Sequence, residues 1–242
     1  MSVTAPQPTI AVIVPALNEE DVITGQVAEI LAVAARPDLP ATIARVIVVD
    51  NGSIDQTAAR ATAAGAEVVS EPRRGYGRAC LSGVEAATDV DLIVLMDGDR
   101  SDQPDELDRL LAPLLAGEAD LVIGSRLLGN PEPGSLTPQQ RFGNRVAAVL
   151  LRLLFGVRVT DIGPFRVIRR HDLLSLKMRE MTYGWSVEMI ARGAKQGLRV
   201  KEVPVSYRKR AGGESKVSGT LRGSIRAGGR ITATIFRCRW GG

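Results

Sequence analysis

A chain of 242 residues, 45% hydrophobic and 24% charged, has the makeup of an ordinary globular protein with one sizeable core. Its two cysteines, Cys80 and Cys238, are too few and too far apart for a disulfide framework or a metal knuckle, which points to a reducing compartment such as the cytoplasm. Net charge is +4, but residues 201–242 hold ten Lys or Arg against two Glu, a local +8 that leaves −4 on the rest; the basic end faces either an anionic partner or solvent.

The opening MSVTAPQPTIAVIVPALNEE has no early Lys or Arg, and Pro15 interrupts its apolar run, so it does not read as a signal peptide. No uncharged run approaches the roughly 18 residues of a membrane span. Short β-branched runs then alternate with helical periodicity. The strand candidates are TIAVIVP (9–15), ARVIVVD (44–50), AEVVS (66–70), VDLIVLMD (90–97) and ADLVIG (119–124). Their apolar residues are continuous, as in parallel strands covered on both faces. Between them Ile23, Val27, Ile30, Leu31 and Ala34 recur at helical spacing, as do Leu107, Leu110, Leu111, Leu114 and Leu115. The expectation is a doubly wound α/β fold with a mostly parallel central sheet.

After Arg126, LLGNPEPGSLTP is loop chemistry, either an active-site loop or an ordinary connection. TPQQRF then starts a helix, with Thr137 as cap, Pro138 at its first position and Gln140 closing a capping box. Phe142, Val146, Val149, Leu150, Leu153 and Leu154 are its expected buried stripe. FRVIRR (165–170) follows, then a helix around WSVEMIARGAKQG (185–197) and two strands, LRVKEVP and VSYRKR, turning near Pro204. In the tail, Leu221, Ile225, Ile231, Ile235 and Phe236 alternate with Arg222, Arg226, Arg230, Arg237 and Arg239. That pattern fits an interfacial helix or a helix packed on the domain; Gly228 and Gly229 each weaken it by roughly 1 kcal/mol. The expected division is a domain over 1–216 and a basic amphipathic helical tail over 217–242.

A parallel α/β sheet binds its ligand at the carboxyl ends of its strands. Three strand candidates end in polar punctuation there: PALNEE, DNGSIDQT and DGDRSD. Singly, each reads as turn or helix-start chemistry. Together they crowd Glu19, Asp50, Asp97 and Asp99 at one sheet edge, which calls for a cation. Carboxylates suit Mg²⁺ or Mn²⁺, completed by the phosphates of a substrate. Asp102, Asp105 and Glu106 surround Pro104 and read as acids of a helix's first turn. A dinucleotide cofactor is excluded, because G-x-G-x-x-G is missing after the first strand and GYGRAC at 75–80 offers only two glycines. Nucleic acid is disfavoured, since aromatics are 4% of residues and no stacking motif accompanies the arginines.

IVPALNEE, VVDNGSIDQT, the RRGYGRA loop, DGDRSDQP, VIGSR and TDIGPFR, in this order, resemble glycosyltransferase family 2, in the branch of dolichyl- or polyprenyl-phosphate mannosyl- and glucosyltransferases. The resemblance covers residues 9–216. It implies a GT-A fold, a nucleoside-diphosphate sugar donor and Mg²⁺ or Mn²⁺. It also implies residue roles. Pro15, Ala16, Leu17 and Glu19 line the nucleoside pocket, Asp50 contacts the base, and Asp97 and Gly98 sit near ribose and diphosphate. Asp99 ligates the metal with Asp97 as its neighbour, while Arg208, Arg210 and Lys216 close on the donor diphosphate. Arg126, Arg141 and Asn144 hold an acceptor phosphate.

Asp161 in TDIGPF and Glu188 in GWSVEM are each either a base or acceptor-orienting group, or a loop anchor through backbone hydrogen bonds; for Glu188 an orienting ion pair is preferred to a base. The lone His171 reads as a surface or helix-start residue. The expected activity is inverting transfer of a hexose from a UDP- or GDP-sugar to polyprenyl phosphate, by a protein peripheral to the cytoplasmic membrane face, alone or with an integral membrane partner. The alternatives are a soluble or cell-envelope hydroxyl acceptor, or a non-catalytic nucleotide-sugar-binding module.

Overall fold

The computed structural model describes residues 7–212 and 221–241. The apolar runs become β1 (Thr9–Ala16), β2 (Thr42–Asp50), β3 (Glu67–Ser70), β4 (Leu92–Leu95), β5 (Leu121–Ser125), β6 (Arg166–Arg169) and β7 (Val200–Pro204). They form one seven-stranded sheet of order β3-β2-β1-β4-β6-β5-β7. Every pairing is parallel except those of β6, which runs antiparallel between β4 and β5. The fold is GT-A, a mostly parallel sheet covered on both faces.

Alternate residues of each strand feed opposite layers. From β1, Ile10, Val12 and Val14 pack with α1 (Ile23–Ala34) and α4 (Leu107–Leu115). Ala11 and Ile13 face the other way, toward α3 (Tyr76–Ala86) and α7 (Trp185–Lys195). Ile10, Ile13, Ile47 and Ile93 have no exposed surface, so truncating any of them to alanine costs ~2–5 kcal/mol. Two short helices complete the connections, α2 (Thr57–Ala63) and α6 (Arg170–Ser175).

Two expectations need correction. First, VSYRKR is no strand; it crosses the sheet's edge as a strap, held by Val205 N–H to Ser125 O of β5 and by isolated bridges of Tyr207 to Asp102 and Pro131. The second concerns α5 (Pro138–Phe155), which starts on the expected capping box of Thr137 and Gln140. Its buried residues are Asn144, Ala147 and Leu151, whereas Phe142, Val149 and Leu153 are 71%, 50% and 74% exposed. A helix apolar nearly all round needs only one side against the protein, and here that side is the small-residue one. The expected basic helical tail is present, as a helix packed on the domain. Its helix α8 (Leu221–Trp240) packs on α5 and α7, and Ile235 and Cys238 lie in the same core as β1 and β4. Gly228 and Gly229 do not break it. Among the described residues no helix is long and apolar enough to cross a membrane.

Candidate active site

The carboxyl ends of β1, β2 and β4 open onto one edge because β1 pairs with both neighbours: Ala16 lies beside Asp50, and Ile13 beside Leu95. The loops after β1 and β2 are sewn together. Asn18 N–H donates to Ser53 Oγ (2.9 Å), the Asn18 side-chain oxygen accepts from Ile54 N (3.0 Å), and Glu19 N–H donates to Thr57 Oγ1 (2.8 Å). Asn18 sits at φ 51°, a left-handed conformation that an asparagine tolerates when its side chain bonds locally. Asp50 accepts from Ser53 N–H (3.1 Å) within its own turn. Asn51 extends the network to the RRGYG loop, donating to the carbonyls of Glu71 and Arg73 and accepting from Gly75 N–H. Gly75 has φ 150°, and a Cβ there would collide with the Met181 carbonyl, so no other residue fits.

At the end of β4, Gly98 lets the chain approach the Pro15 carbonyl; an added Cβ would sit 3.2 Å from it. Arg100 is left-handed too, at φ 61°. Asp99 is 5% exposed; its Oδ1 accepts from Ser101 N–H and its Oδ2 pairs with Arg210 at 3.0 Å. The other arm of Arg210 reaches Glu19 Oε1 at 2.7 Å, so one guanidinium joins the loops after β1 and β4. The strap places it there: Arg208 N–H donates to Ser101 O, and Ala211 N–H to Asp99 O. Arg208 itself points into solvent, and Lys216 lies outside the described residues.

Asp97 is pushed up to about 7 by burial and by the charge of Asp99, against the pull of Arg126, Arg210 and the Tyr76 hydroxyl. Asp102 is not helix chemistry. It precedes the 3₁₀ turn Pro104–Glu106, has no exposed surface, and its Oδ2 accepts from Asp97 N–H (3.1 Å), fixing that residue's backbone. Burial and the Asp97 charge raise it well above the usual carboxylate range, and its Oδ1 has no partner among the described residues. Glu106, also expected to serve the dipole, instead accepts from Ser206 N–H and hydroxyl and anchors the strap.

A second cluster stands at the end of β5. Arg126, 8% exposed, grips Asp161 through two parallel bonds of 2.7 Å and lies over the Tyr207 ring at 4.9 Å. Asp161 also accepts from Arg126 N–H (2.9 Å), Ile162 N–H (2.8 Å) and the Asn144 amide (2.7 Å). Burial alone would raise its pKa, but the Arg126 charge and these bonds hold it below the ordinary value. With no exposed surface and both oxygens engaged, Asp161 has the geometry of the anchoring alternative. Arg126 Nη1 makes no hydrogen bond among the described residues and is the arm left for a ligand. Arg141, one turn before Asn144, is exposed.

Glu188 joins neither cluster. It accepts from the N–H groups of Arg179 and Glu180 and pairs with Arg192 at 2.7 Å, so its ion pair braces α7 and the loop before it. His171 is exposed beside Asp172, at a surface cleft of about 440 Å³ with Pro8 and Asp91, where β4 begins rather than ends.

The two carboxylates of Asp97 and Asp99 fit a divalent cation: one is raised by burial and by its neighbour's charge, and the other already draws a cationic side chain. Among the described residues no three His, Cys, Asp or Glu side chains converge tightly enough to hold a metal alone. A metal here therefore needs further oxygens, such as those of a diphosphate.

Sequence reasoning missed four residues of this site: Asn51, Tyr76, Asp102 and Tyr207. Tyr76 stands inside the quoted RRGYGRA motif and Tyr207 heads the basic YRKR run, so both were adjacent to visible signals.

A family model described as glycosyl transferase family 2 matches residues 11–176. An uncharacterized glycosyltransferase of Mycobacterium tuberculosis is 43% identical over 217 residues, covering 89% of this chain and 93% of its own length. The undecaprenyl-phosphate mannosyltransferase of Micrococcus luteus is 32% identical over 208 residues, 81% of this chain and 82% of that one. Among solved structures, glucosyl-3-phosphoglycerate synthase from Mycobacterium tuberculosis, in complex with Mn²⁺, UDP and glucosyl-3-phosphoglycerate, superposes with a TM-score of 0.77 at 27% identity. That match covers 96% of this chain and 80% of the synthase.

Proposed function

The chain belongs to glycosyltransferase family 2, and from that premise we propose that it moves a hexose, with inversion, from a UDP- or GDP-sugar to polyprenyl phosphate at the cytoplasmic membrane face. The observation that supports this most is the meeting of an acidic and a cationic cluster at one edge of the sheet: Arg210 pairs with Asp99 at 3.0 Å, and the charges of Arg126 and Arg210 both act on Asp97. Such a site suits two anionic substrates brought face to face.

An acceptor phosphate is largely dianionic at neutral pH, its second pKa being about 6. One of its oxygens attacks the anomeric carbon as the bond from that carbon to the diphosphate oxygen breaks, and the electron pair leaves on the diphosphate. No general base is required, which agrees with the saturated Asp161. Arg126 Nη1 and Arg141 orient the acceptor, and Arg210 meets the charge growing on the leaving group. Mg²⁺ or Mn²⁺ on Asp97 and Asp99 would neutralise more of that charge. The loops after β1 and β2, with Pro15, Ala16, Leu17 and Asp50, would take the nucleoside.

A second reading, transfer to a small phosphorylated acceptor in solution, draws on the likeness to glucosyl-3-phosphoglycerate synthase. Incubation of the purified chain with Mn²⁺, radiolabelled UDP- or GDP-sugar and either polyprenyl phosphate or 3-phosphoglycerate separates the two. Label extracted into organic solvent supports the lipid acceptor. Label transferred only to the aqueous acceptor sinks it.

A further inference from the structure

The outward side of α5 is an apolar stripe. Phe142, Val146, Val149 and Leu153 recur at three- and four-residue intervals on one face, opposite the buried Asn144, Ala147 and Leu151. α8 lies against α5 and adds Phe236 and Trp240, whose rings stack 5.5 Å apart and are 39% and 69% exposed. Scattered exposed apolar side chains need no explanation; a run of them across two adjacent helices makes a patch.

Its rim is basic. Neither helix, 18 and 20 residues long, contains an Asp or Glu, while α5 carries three arginines and α8 five. Arg230 and Arg237 lean on Glu180, but Arg145, Arg152 and Arg239 are exposed and have no ion pair among the described residues. A second copy of this chain would bring the same arginines against each other, at a cost in like charge. An anionic surface would meet them with opposite charge.

We propose that the α5 stripe and the Phe236–Trp240 pair dock on an anionic phospholipid bilayer, the apolar side chains entering the acyl boundary and the arginines meeting lipid phosphates. The inference deepens the lipid-acceptor reading and rests on it in one respect: α5 carries both the docking stripe and Arg141 and Asn144, so docking sets the acceptor side of the site at headgroup level. The docking face is otherwise separate from the catalytic residues.

Vesicle cosedimentation tests it with the full chain, using phosphatidylcholine vesicles with and without phosphatidylglycerol. The wild type is expected to bind the anionic vesicles and to release as salt rises. The Phe142→Glu/Leu153→Glu variant alters only side chains more than 70% exposed. It should keep its melting temperature and its transfer to a short, water-soluble isoprenyl phosphate while losing about tenfold or more in vesicle binding. Binding absent in the wild type, or unchanged in the variant, overturns the proposal. So does a wild-type dimer that the variant dissociates, because a second copy would then cover the stripe, or an equal loss of transfer to the water-soluble acceptor, because the stripe would then belong to the site. Vesicle binding by a chain that transfers to no isoprenyl phosphate leaves the docking face standing and sinks the lipid-acceptor reading instead.

Discussion

Two carboxylate clusters at the same edge of the sheet are built on opposite terms. Asp161 is supplied with five donors, two of them from the Arg126 guanidinium, and is held below the ordinary carboxylate value. Asp97 is pushed up to about 7 by burial and by the charge of Asp99 beside it. The first is finished: its Coulomb attraction offsets burial, and it fixes where Arg126 points. The second carries a burial and repulsion cost at Asp97 that a cation would offset. An acid's partners, more than its position at a strand end, separate scaffold from ligand site.

The largest effect that would break this contrast is on rate. Asp99→Ala is expected to lower sugar transfer at least about a thousandfold, some 4 kcal/mol of barrier, while moving the melting temperature by only a few degrees. Radiometric transfer and calorimetry on the same preparation check both halves; full activity in the variant would remove Asp99 from the chemistry. Asp161→Ala should do the reverse in the first instance. It strands Arg126 in a site where it is 8% exposed, and an uncompensated buried charge costs about 3–5 kcal/mol of stability, read from urea unfolding.

Mn²⁺ with UDP at about a hundredfold over its dissociation constant should stabilise the wild type by ~2.7 kcal/mol and leave Asp99→Ala unmoved in a thermal shift. Acid supplies a finer discriminator. Because the folded-state pKa of Asp161 is depressed, its contribution is complete above the unfolded value of about 4 and disappears as pH falls through the folded value below that. The gap in stability between wild type and Asp161→Ala should therefore be constant from neutral pH down to about pH 4 and narrow below it. A gap that already closes between pH 7 and 5 would show that another group sets it.

How much of this was legible in the sequence depended on range. The continuous runs TIAVIVP and LIVL announce buried strands because burial on both faces demands apolar residues at every position. The capping box of α5 is likewise local chemistry within four residues. Periodicity, by contrast, marked an apolar stripe on α5 without saying which side the protein would cover; that depended on α7 and α8, far along the chain. Asp102 looked like a helix acid because Pro104 follows it, and its true partner, the Asp97 amide, became visible only once the turn through left-handed Arg100 was seen. The strap failed for the same reason. VSYRKR has strand-like composition, but its backbone is spent on Ser101 and Asp99, a bargain that no window of neighbouring residues contains.

Glu188 is the sharpest small test of reading a carboxylate by its partners. Sequence placed it among acceptor-binding residues, on an apolar helix beside Trp185; in the structure it is 3% exposed, receives two backbone N–H groups and pairs with Arg192 one turn later. These are the terms on which Asp161 was built, with one difference: its cation is 20% exposed at the side chain and keeps water when the pair is weakened. Glu188→Gln retains an acceptor for the N–H groups and loses only the charge. The expected cost is about 1–2 kcal/mol, smaller than for Asp161 because Arg192 is not stranded. Transfer rate and acceptor KM should stay within about twofold of wild type, since the change reaches neither cluster. A several-fold rise in acceptor KM without loss of stability would return Glu188 to the acceptor site and show that an acid saturated by its own helix still orients a substrate.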